Sequence, residues 1–491
     1  MKELQIASVK MNKFNFIIAR ILGIDYKSIH FKKENEFLMV FDLHFSTLLR
    51  IITLSFRERM MDVSTYSCRS REELRIEAKK MIARYGAHLQ EGLKLDMSRG
   101  KPSKLQLDLV NDIMTTLTDK AQCIINGNDV RNYGDLAGLK CCREYWADVL
   151  GCKPEQTFVG GNASLSLMHD LIARAYTHGL KDSPKPWCKE ERVKFLCPSP
   201  GYDRHFRITE HFGFELITVA MTPDGPDMDT VEELVKDPQV KGIWCVPKYS
   251  NPQGYIYSDE VIDRFANLKP AAPDFAIMWD NAYCVHEFEG EFVPFRDIIS
   301  LCAEAGRPNM VYEFASTSKI TFPGAGISVM ASSEENIKYH TKLIGVQTIS
   351  YDKVNQLRHV LYLKDRAHTL ELMKKHAEIL GPKFHMVLKM LRSELTNKGI
   401  AHWHLPKGGY FVCVAAMPGT AKRTLELCKK AGVTFTEAGG TYPYGHDPHD
   451  SMIRIAPSLP PIEELEKAML VFCTCLKIAA LEKYLGLAII E

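Results

Sequence analysis

The pattern of apolar and polar positions changes along this chain of 491 residues. Between residues 157 and 330, short apolar runs of strand length alternate with amphipathic segments of helix length. Beyond residue 345, amphipathic segments dominate and only short β-like runs interrupt them. Strand–helix alternation is typical of a mainly parallel sheet sandwiched by helices, and the later pattern is typical of an α+β unit. The sequence therefore predicts an α/β protein with a large domain and a smaller one.

The periodicity of the apolar positions sets the bounds of the predicted elements. Seven strands belong to the large domain and span residues 157–159, 194–197, 215–220, 241–246, 275–280, 309–312 and 327–330. The smaller domain has strands at 401–404, 410–414, 433–435 and 452–455. The main helices span 70–86, 105–117, 139–150, 165–177, 204–212, 231–235, 259–268, 354–364, 368–397 and 462–485.

The first of these helices has a clear start signal. Ser70 is followed three residues later by Glu73, which is the spacing of a capping box. We expect the apolar face of this helix to be buried, and its members are Leu74, Ala78, Met81, Ile82 and Tyr85.

Residues 1–60 match neither pattern, and Met61 is a candidate start of the folded unit. The changes of pattern predict four segments. Residues 1–60 are an N-terminal extension of uncertain status, and residues 61–115 are an N-terminal arm with part of the small domain. Residues 116–385 form the large domain, and residues 386–491 form the C-terminal small domain.

Composition narrows the class of protein. The chain is 46% hydrophobic and 25% charged, which is ordinary for a globular protein, and its formal net charge of +2 favours neither nucleic acid nor a membrane surface. No apolar run reaches the length of a membrane span. The 14 cysteines form no paired C-x-x-C sets, so we expect reduced thiols, no metal site and a cytoplasmic location.

One lysine, Lys319, lies between two predicted strands in the sequence Ser316-x-Ser318-Lys319. A lysine in that position should be partly desolvated, which favours its neutral amine. A neutral amine attacks carbonyl carbons and can form a Schiff base. In isolation the same residue is better explained as a solvated loop lysine.

Other polar side chains follow the ends of predicted strands, where ligands bind in open parallel sheets. Asp280 ends an apolar strand and needs a cationic partner, for which a protonated ring nitrogen is suitable. Tyr283 and the turn residue Asn251 could reach the same place. Each has an ordinary alternative, because a carboxylate also caps loops and an Asn-Pro pair also favours turns.

Two further features suit anions. The glycine turn Gly160-Gly161-Asn162-Ala163-Ser164 precedes a helix, whose free N–H groups could bind a phosphate. Arg454 lies on a predicted buried strand, and its guanidinium matches a carboxylate. An ordinary capped loop and an internal salt bridge are the respective alternatives.

Taken together, these residues resemble the pyridoxal-phosphate-dependent aminotransferases of fold type I, class I. The resemblance covers about residues 68–480. It is carried by Tyr133 with Gly138, Pro200-Gly-Tyr202, Asn251-Pro-x-Gly254, Asp280-x-Ala-Tyr283, Ser316-x-Ser-Lys319, Lys407-Gly-Gly-Tyr-Phe411 and Ile453-Arg-Ile455. The subgroup called type Ic of the aspartate aminotransferases is similar in Ser98-Arg-Gly-Lys-Pro102, in the Gly-Asn-Ala-Ser turn and in Ser318-Lys-Ile-Thr-Phe-Pro-Gly-Ala-Gly326.

The resemblance implies a role for each position. Lys319 would hold pyridoxal 5′-phosphate and then transfer a proton, while Asp280 would keep the pyridine nitrogen protonated. Catalytic roles would fall to Lys319, Asp280 and Tyr283. The other cofactor-binding residues would be Asn162, Ala163, Ser164, Tyr202, Asn251, Ser316, Ser318 and a partner subunit's copy of Tyr133. The substrate-binding residues would be Gly100, Asn251 and Arg454.

Two departures from that pattern stand out. The family usually has a phosphate-binding arginine eight residues after the lysine, and this chain has Ile327 there. The arginine for the substrate's second carboxylate is also unmarked, and Lys353 is the candidate for that position.

The resemblance further implies a homodimer with shared active sites and a ping-pong reaction of L-aspartate with 2-oxoglutarate. Another amino donor, such as alanine, and β-lyase chemistry on the same fold are the alternatives. A non-catalytic regulator with an aminotransferase-like domain is a third, although residues 1–60 have no helix-turn-helix pattern.

Overall fold

The computed structural model describes residues 65–490, so the predictions for residues 1–60 and for a start at Met61 lie outside the described residues. The α-helices are α1 (Arg71–Gln90), α2 (Lys104–Leu109), α3 (Lys140–Leu150), α4 (Ser164–His178), α5 (Asp203–His211), α6 (Met228–Leu234), α7 (Asp259–Ala266), α8 (Ile298–Glu304), α9 (Glu334–Gln347), α10 (Lys353–Leu363), α11 (Arg366–Leu395), α12 (Ala421–Lys430) and α13 (Ile462–Leu485).

Short strands complete the described part of the chain. They are β1 (Leu95–Asp96), β2 (Ile124–Ile125), β3 (Asn128–Asp129), β4 (Thr157–Val159), β5 (Lys194–Ser199), β6 (Glu215–Thr222), β7 (Gly225–Pro226), β8 (Val240–Cys245), β9 (Ala276–Asp280), β10 (Val311–Ser316), β11 (Ser328–Ala331), β12 (Ala401–Trp403), β13 (Val412–Ala416), β14 (Val433–Thr434) and β15 (Met452–Ile455). None of the helices in residues 65–490 combines the length and the apolar character needed to cross a membrane.

The central sheet has the strand order β4-β11-β10-β9-β8-β5-β6-β7. Strands β10, β9, β8, β5 and β6 pair in parallel, whereas β11 is antiparallel to both of its neighbours. The prediction of a mainly parallel sheet is therefore confirmed. The eighth strand, β7, pairs with the end of β6 and was not predicted, because two residues are too few to show a period.

Alternate residues of each central strand face opposite sides of the sheet. Along β8, Ile243 joins the apolar core on one side, and Trp244 joins the core on the other. Helix α4 covers the side of Trp244, and helices α7 and α8 cover the side of Ile243. Burial on both faces explains why these strands are continuous apolar runs in the sequence.

A further core lies outside the central sheet. Helices α1, α11, α12 and α13 contribute to it together with the small sheet β12-β13-β15. This grouping resembles the predicted small domain, but the boundaries at residues 115 and 385 stay predictions.

The capping box of α1 is present, and its helix runs one turn further than predicted. His88 is buried on the apolar face of this turn, whereas Ile82 is 38% exposed. The expectation that Ile82 is buried is wrong because the buried positions follow steps of three and four residues, and Ile82 lies beside that stripe.

The helix predicted over residues 105–117 is also interrupted. Helix α2 ends at Leu109, and a 3-10 helix, Asn111–Thr115, continues from there. Val110 leaves helical geometry at the junction, and both Val110 and Ile113 are fully buried. A 3-10 helix has three residues per turn, so it brings Val110 and Ile113 to the same face. The prediction assumed the α-helical period throughout and therefore missed this change.

The parallel strands bring their carboxyl ends to one edge of the sheet. Strand β9 ends at Asp280, and β10 ends at Ser316. Strand β5 leads into Tyr202 at the start of α5, and β8 leads into the turn that contains Asn251. The residues predicted to carry chemistry therefore converge at this edge.

Candidate active site

A cavity of about 850 Å³ opens at the carboxyl ends of the central strands. It brings together most of the predicted site residues, although they come from distant parts of the sequence. Those that line it are Gly100, Ala163, Ser164, Tyr202, Asn251, Asp280, Tyr283, Ser316, Ser318, Lys319 and Arg454. Asn162, Tyr133 and Lys353 are not among the lining residues.

Lys319 is presented by a single 3-10 turn, Thr317–Lys319, directly after β10. The Oγ of Ser316 donates to the Oγ of Ser318 at 3.0 Å, and the Oγ1 of Thr317 accepts from the backbone N–H of Ile327 at 3.0 Å. These bonds hold Thr317 and Ser318, the two residues that precede Lys319 in the turn. Burial lowers the pKa of Lys319, and the nearby carboxylate of Asp280 acts in the opposite direction.

Asp280 is 3% exposed, and its two oxygens have different surroundings. The Nε2 of His205 donates to Oδ2 at 2.9 Å, and the His205 ring stacks on Trp244 with centroids 4.5 Å apart. Oδ1 is buried without a hydrogen-bond partner among the described residues. An unsatisfied buried carboxylate oxygen is costly, so this atom suits a ligand that brings an N–H.

Two tyrosine hydroxyls flank this carboxylate. Burial raises the pKa of Tyr202 to about 12, with the Asp280 charge as the next cause. Burial also raises the pKa of Tyr283 well above its ordinary value. Both phenols are therefore neutral near pH 7 and can donate hydrogen bonds.

Arg454 projects from β15 into the same cavity. Its Nη1 donates to Asn251 Oδ1 at 3.2 Å and to Asp203 Oδ1 at 3.3 Å, and its Nη2 donates to Thr436 Oγ1 at 3.1 Å. The guanidinium also lies 4.7 Å from the ring centroid of Phe411. Its Nε has no partner among the described residues. The guanidinium is thus held in place and keeps a donor for a further anion.

The glycine in the sequence Ser98-Arg-Gly100 is required by a neighbour within the chain. A Cβ atom at Gly100 would lie 2.7 Å from Cζ of Phe411, which is the ring that contacts Arg454. Gly100 therefore permits the packing of Phe411. The expectation that it lets a substrate approach stays a prediction.

The predicted phosphate turn does precede a helix. Ala163 is the N-cap of α4, which begins at Ser164. The side chain of Asn162 points elsewhere, since its Nδ2 donates to the backbone oxygen of Pro323 at 3.3 Å. This hydrogen bond joins the glycine turn, residues 160–164, to the Pro323-Gly324 turn. Asn162 therefore acts on the shape of the predicted phosphate site.

Ile327, at the position of the family's usual arginine, is 1% exposed and belongs to the apolar core. Positive charge comes from another element, because Arg204 and Arg207 of α5 both line the cavity. Sequence reasoning did not identify these arginines. Their spacing of three residues on a helix that begins beside Tyr202 was the available signal.

Tyr133 and Lys353 contact each other away from this cavity. The Nζ of Lys353 donates to the backbone oxygen of Tyr133 at 3.1 Å and to Asp135 Oδ2 at 3.2 Å. Lys353 is 4% exposed, whereas the Tyr133 side chain is 77% exposed. The roles expected for these two residues stay predictions.

Sequence reasoning also did not find His205 or Thr436, and it named Phe411 only as part of a motif, without a role. His205 follows Tyr202 by three residues on α5, so a helical period placed it near the site in principle. Thr436 has no comparable signal, because only the packing of β14 and β15 around the cavity brings it to Arg454.

A buried acid lies directly behind Asp280. The Nδ2 of Asn281, the next residue, donates to Oε1 of Glu313 at 2.9 Å. Burial raises the pKa of Glu313 to about 8 from an ordinary value of 4.5. The folded protein therefore keeps Glu313 protonated near neutral pH.

Replacing Glu313 by glutamine should remove a pH-dependent loss of stability. Between about pH 5 and pH 8 the folded state keeps the Glu313 proton, whereas the unfolded chain has released it. The unfolded state binds fewer protons in this window, so the stability of the wild type falls as pH rises. We expect the Tm of E313Q minus the Tm of the wild type, measured from pH 5 to pH 8.5, to increase with pH. The exposed control E304Q should show a constant difference, and a constant difference for E313Q would contradict the assignment.

The sheet order, the buried lysine turn after β10 and the carboxylate at the end of β9 define a class, the aminotransferases of fold type I. Comparisons with known proteins specify the family. The sequence model of the family "Aspartate amino-transferase" matches residues 70–487. The chain belongs to this family and is an aminotransferase.

Individual relatives agree with this assignment. The chain is 50% identical over 394 residues to an aspartate aminotransferase of Corynebacterium glutamicum, covering 80% of this chain and 91% of the relative. The solved structure of an aspartate transaminase from that organism has 48% identity and a TM-score of 0.82, covering 84% of this chain and 97% of that one. The fold alone is shared with an alpha-aminoadipate aminotransferase of Thermus thermophilus, at 19% identity and a TM-score of 0.65 over 82% of this chain and 97% of that one.

Proposed function

We propose that this chain transfers the amino group of L-aspartate to 2-oxoglutarate, with pyridoxal 5′-phosphate as its cofactor. One observation carries the proposal: three unsatisfied or reactive groups line the same cavity. The amine of Lys319 suits the cofactor's aldehyde, the unpaired Oδ1 of Asp280 suits the pyridine N–H, and Arg454 suits the α-carboxylate of an amino acid.

Pyridoxal 5′-phosphate, when bound, supplies an electron sink for the bond broken at the substrate Cα. Lys319 would hold the cofactor, and its free amine would accept the proton from the substrate Cα. Burial lowers the pKa of this amine, which increases the share of its neutral form and so favours its action as a base. Asp280 would keep a proton on the ring nitrogen, and the hydrogen bond from His205 holds this carboxylate in place.

The other lining residues position and enclose the reactants. Tyr283 and Asn251 would hydrogen-bond the ring oxygen, and Tyr202 would cover the ring face and exclude water. Ala163 and Ser164 at the start of α4, with Ser316 and Ser318, would hold the phosphate. Arg204 and Arg207 supply the positive charge that the usual arginine provides elsewhere in the family.

The charge of the cavity supports an acidic substrate. Its lining contains seven arginines and lysines against four acids. Three of these acids are already engaged, Asp203 by Arg454, Asp280 by His205 and Glu426 by Arg423. Arg99, Lys422 and Lys429 are not assigned to the cofactor or the α-carboxylate, and their positive charge favours a dicarboxylic amino acid such as aspartate over a neutral one.

The decisive test is the first half-reaction. Purified full-length protein loaded with pyridoxal 5′-phosphate is mixed with L-aspartate, and its visible absorption band is followed. We expect conversion to the pyridoxamine form, its reversal by 2-oxoglutarate, and a much slower reaction with L-alanine. Absence of any conversion with L-aspartate, L-glutamate or L-alanine would end the transaminase assignment. Formation of pyruvate and ammonia from a substrate with a β-leaving group, without this conversion, would favour a β-lyase.

We also propose a homodimer in which each subunit completes the other's site. The strongly exposed side chain of Tyr133, on a segment fixed by Lys353, supports this arrangement. Mixing Tyr133→Phe and Lys319→Arg protomers tests it. In a shared-site dimer, mixed dimers have one site with both changes and one with neither, so activity should exceed that of either variant alone.

Lys353 is proposed to bind the second carboxylate of the substrate. K353M should lower kcat/KM for L-aspartate at least about tenfold and leave that for L-alanine unchanged, because only aspartate loses a charge-assisted hydrogen bond. The matched variant D135N removes the ion-pair partner but keeps the lysine, so it should preserve selectivity. If K353M instead lowers both rates equally together with cofactor affinity, Lys353 only holds the Tyr133 segment.

A further inference from the structure

The side chain of Lys319 lies beside two buried tyrosine rings, and a buried histidine ring packs against both of them. Its Nζ is 4.9 Å from the ring centroid of Tyr283 and 5.8 Å from that of Tyr410. These two rings are 6.2 Å apart and inclined by 22°. The ring of His286 stands edge-on to both, at 5.7 Å from Tyr283 and 6.1 Å from Tyr410. We call Tyr283, His286 and Tyr410 the aromatic cage.

A hydrogen-bonded chain fixes Tyr410 within the cage. Gln106 of α2 donates from Nε2 to the Tyr410 hydroxyl at 2.9 Å and lies 3.3 Å from Nδ1 of His376 on α11. The Nε2 of His376 donates to the backbone oxygen of Ile320 at 3.1 Å. Burial lowers the pKa of His376 to about 4, so its Nδ1 is free of a proton and accepts from Gln106. The chain thus leads back to the residue that follows Lys319.

The glycine pair before Tyr410 allows this placement. A Cβ atom at Gly408 would lie 2.5 Å from the backbone oxygen of His286 and 2.5 Å from the Tyr249 ring. Gly409 has a φ of +81° and donates its N–H to the same His286 oxygen at 2.9 Å. Larger residues would push this segment, and with it Tyr410, away from His286.

His286 has an unusual environment for a polar side chain. It is 3% exposed, and neither ring nitrogen has a hydrogen-bond partner among the described residues. Burial, followed by the Lys319 charge, lowers its pKa well below the ordinary value, although the nearby Lys319 backbone acts in the opposite direction. The ring is therefore neutral, and one of its nitrogens is an unused acceptor.

Few charges face the cage. Asp280, at the end of β9, favours the charged form of Lys319. Lys248, after β8, and His376, on α11, disfavour a charge on His286. Lys248 is itself paired with Glu287. The cage thus offers two π faces and a neutral hydrogen-bond acceptor to Lys319. The negative charge that favours the lysine's ammonium form comes from Asp280.

We propose that the aromatic cage receives the Lys319 ammonium once this amine, released from the cofactor, has taken up a proton. The faces of Tyr283 and Tyr410 attract the charge, and His286 accepts one of its hydrogen bonds. The inference rests on the proposed function, because during turnover that function releases Lys319 from the cofactor and then protonates it. Tyr410 and His286 are positioning residues in this scheme, and Gln106 and His376 position Tyr410.

The test measures the pKa of Lys319 itself. Full-length protein labelled with ¹³C at the lysine ε-carbon is titrated by NMR, with pyridoxamine 5′-phosphate bound and without it. The Lys319 signal is identified by its absence from K319R. The variants are Y410L, which removes a π face, Y410F, which keeps the face and loses the hydroxyl, and H286F, which keeps a ring and loses the acceptor.

We expect Y410L and H286F each to lower the pKa of Lys319 by about half a pH unit, and Y410F to leave it near the wild-type value. Q106M should lower the pKa less than Y410L, since the ring stays but loses its anchor. It also provides a second probe if Y410L does not fold. An unchanged pKa in both H286F and Y410L, or an equal loss in Y410F and Y410L, would overturn the proposal.

The two levels of inference fail separately. If the chain does not transaminate but the titration without cofactor gives the expected shifts, the cage stands and the proposed function fails. If transamination is normal and the variants leave the Lys319 pKa unchanged, the function stands and the cage is rejected.

Discussion

Replacement of Lys319 by arginine is expected to lower kcat for transamination about 10⁴-fold, at the upper end of what one general base contributes. Arginine keeps a positive charge in the turn after β10, but its guanidinium stays protonated and cannot form a Schiff base. The variant should also lose the visible band of the lysine-bound cofactor. Stopped-flow absorbance with L-aspartate measures both effects in one experiment.

The matched control is K383R. Lys383 is also a buried lysine, but it lies on helix α11 and does not line the cavity. Its Nζ donates to the backbone oxygen of Ser458. K383R should retain the band and most of the activity, with a change in Tm as its main effect. Turnover of K319R within about tenfold of the wild type would remove Lys319 from the centre of the reaction.

Replacement of Asp280 by asparagine should lower kcat about 10²- to 10³-fold, with a smaller effect on KM. The amide has the size of the carboxylate, but it has no charge to hold a proton on the ring nitrogen. The electron sink is then weaker in the transition state, which is why the loss falls on kcat. Steady-state kinetics with L-aspartate, together with the absorbance of the bound cofactor, measure the change.

A second carboxylate of the same cavity provides the control. Glu437 lines the cavity and is exposed, so E437Q removes a negative charge of the same kind without affecting Asp280. It should change kcat by no more than about twofold. D280E should recover part of the lost activity, because it restores the charge at a shifted position. If D280N and E437Q were equally active, the pairing of Asp280 with the ring nitrogen would be wrong.

Much of the fold follows from local patterns. The strands of the large sheet are continuous apolar runs because both faces are covered, so they could be located from the sequence. The capping box at Ser70 and the final helix Ile462–Leu485 were also predictable. Errors arose where an element was too short to show a period, as in β7, or where packing replaced an α-helical turn by a 3-10 turn, as after Val110. The helices α8, α9 and α12 were also not predicted.

The candidate site was predictable where a residue type is chemically unusual for its place. A carboxylate at the end of a buried strand, Asp280, and an arginine within one, Arg454, each need a ligand or partner. The side chains that orient them were not predictable in this way. His205, Thr436 and Gln106 are ordinary residues of helices and loops until the folded chain brings them to Asp280, Arg454 and Tyr410.

The sequence by itself determined the chemical groups of this protein and their positions at strand ends, because strand and helix periods are local. Only the tertiary structure decided how these groups are satisfied. Within residues 65–490 it left Oδ1 of Asp280 without a partner and bonded Lys353 to the backbone oxygen of Tyr133. It also placed Lys319 beside the rings of Tyr283 and Tyr410. Hydrogen bonds and burial depend on contacts between residues far apart in the chain, and no local pattern records them.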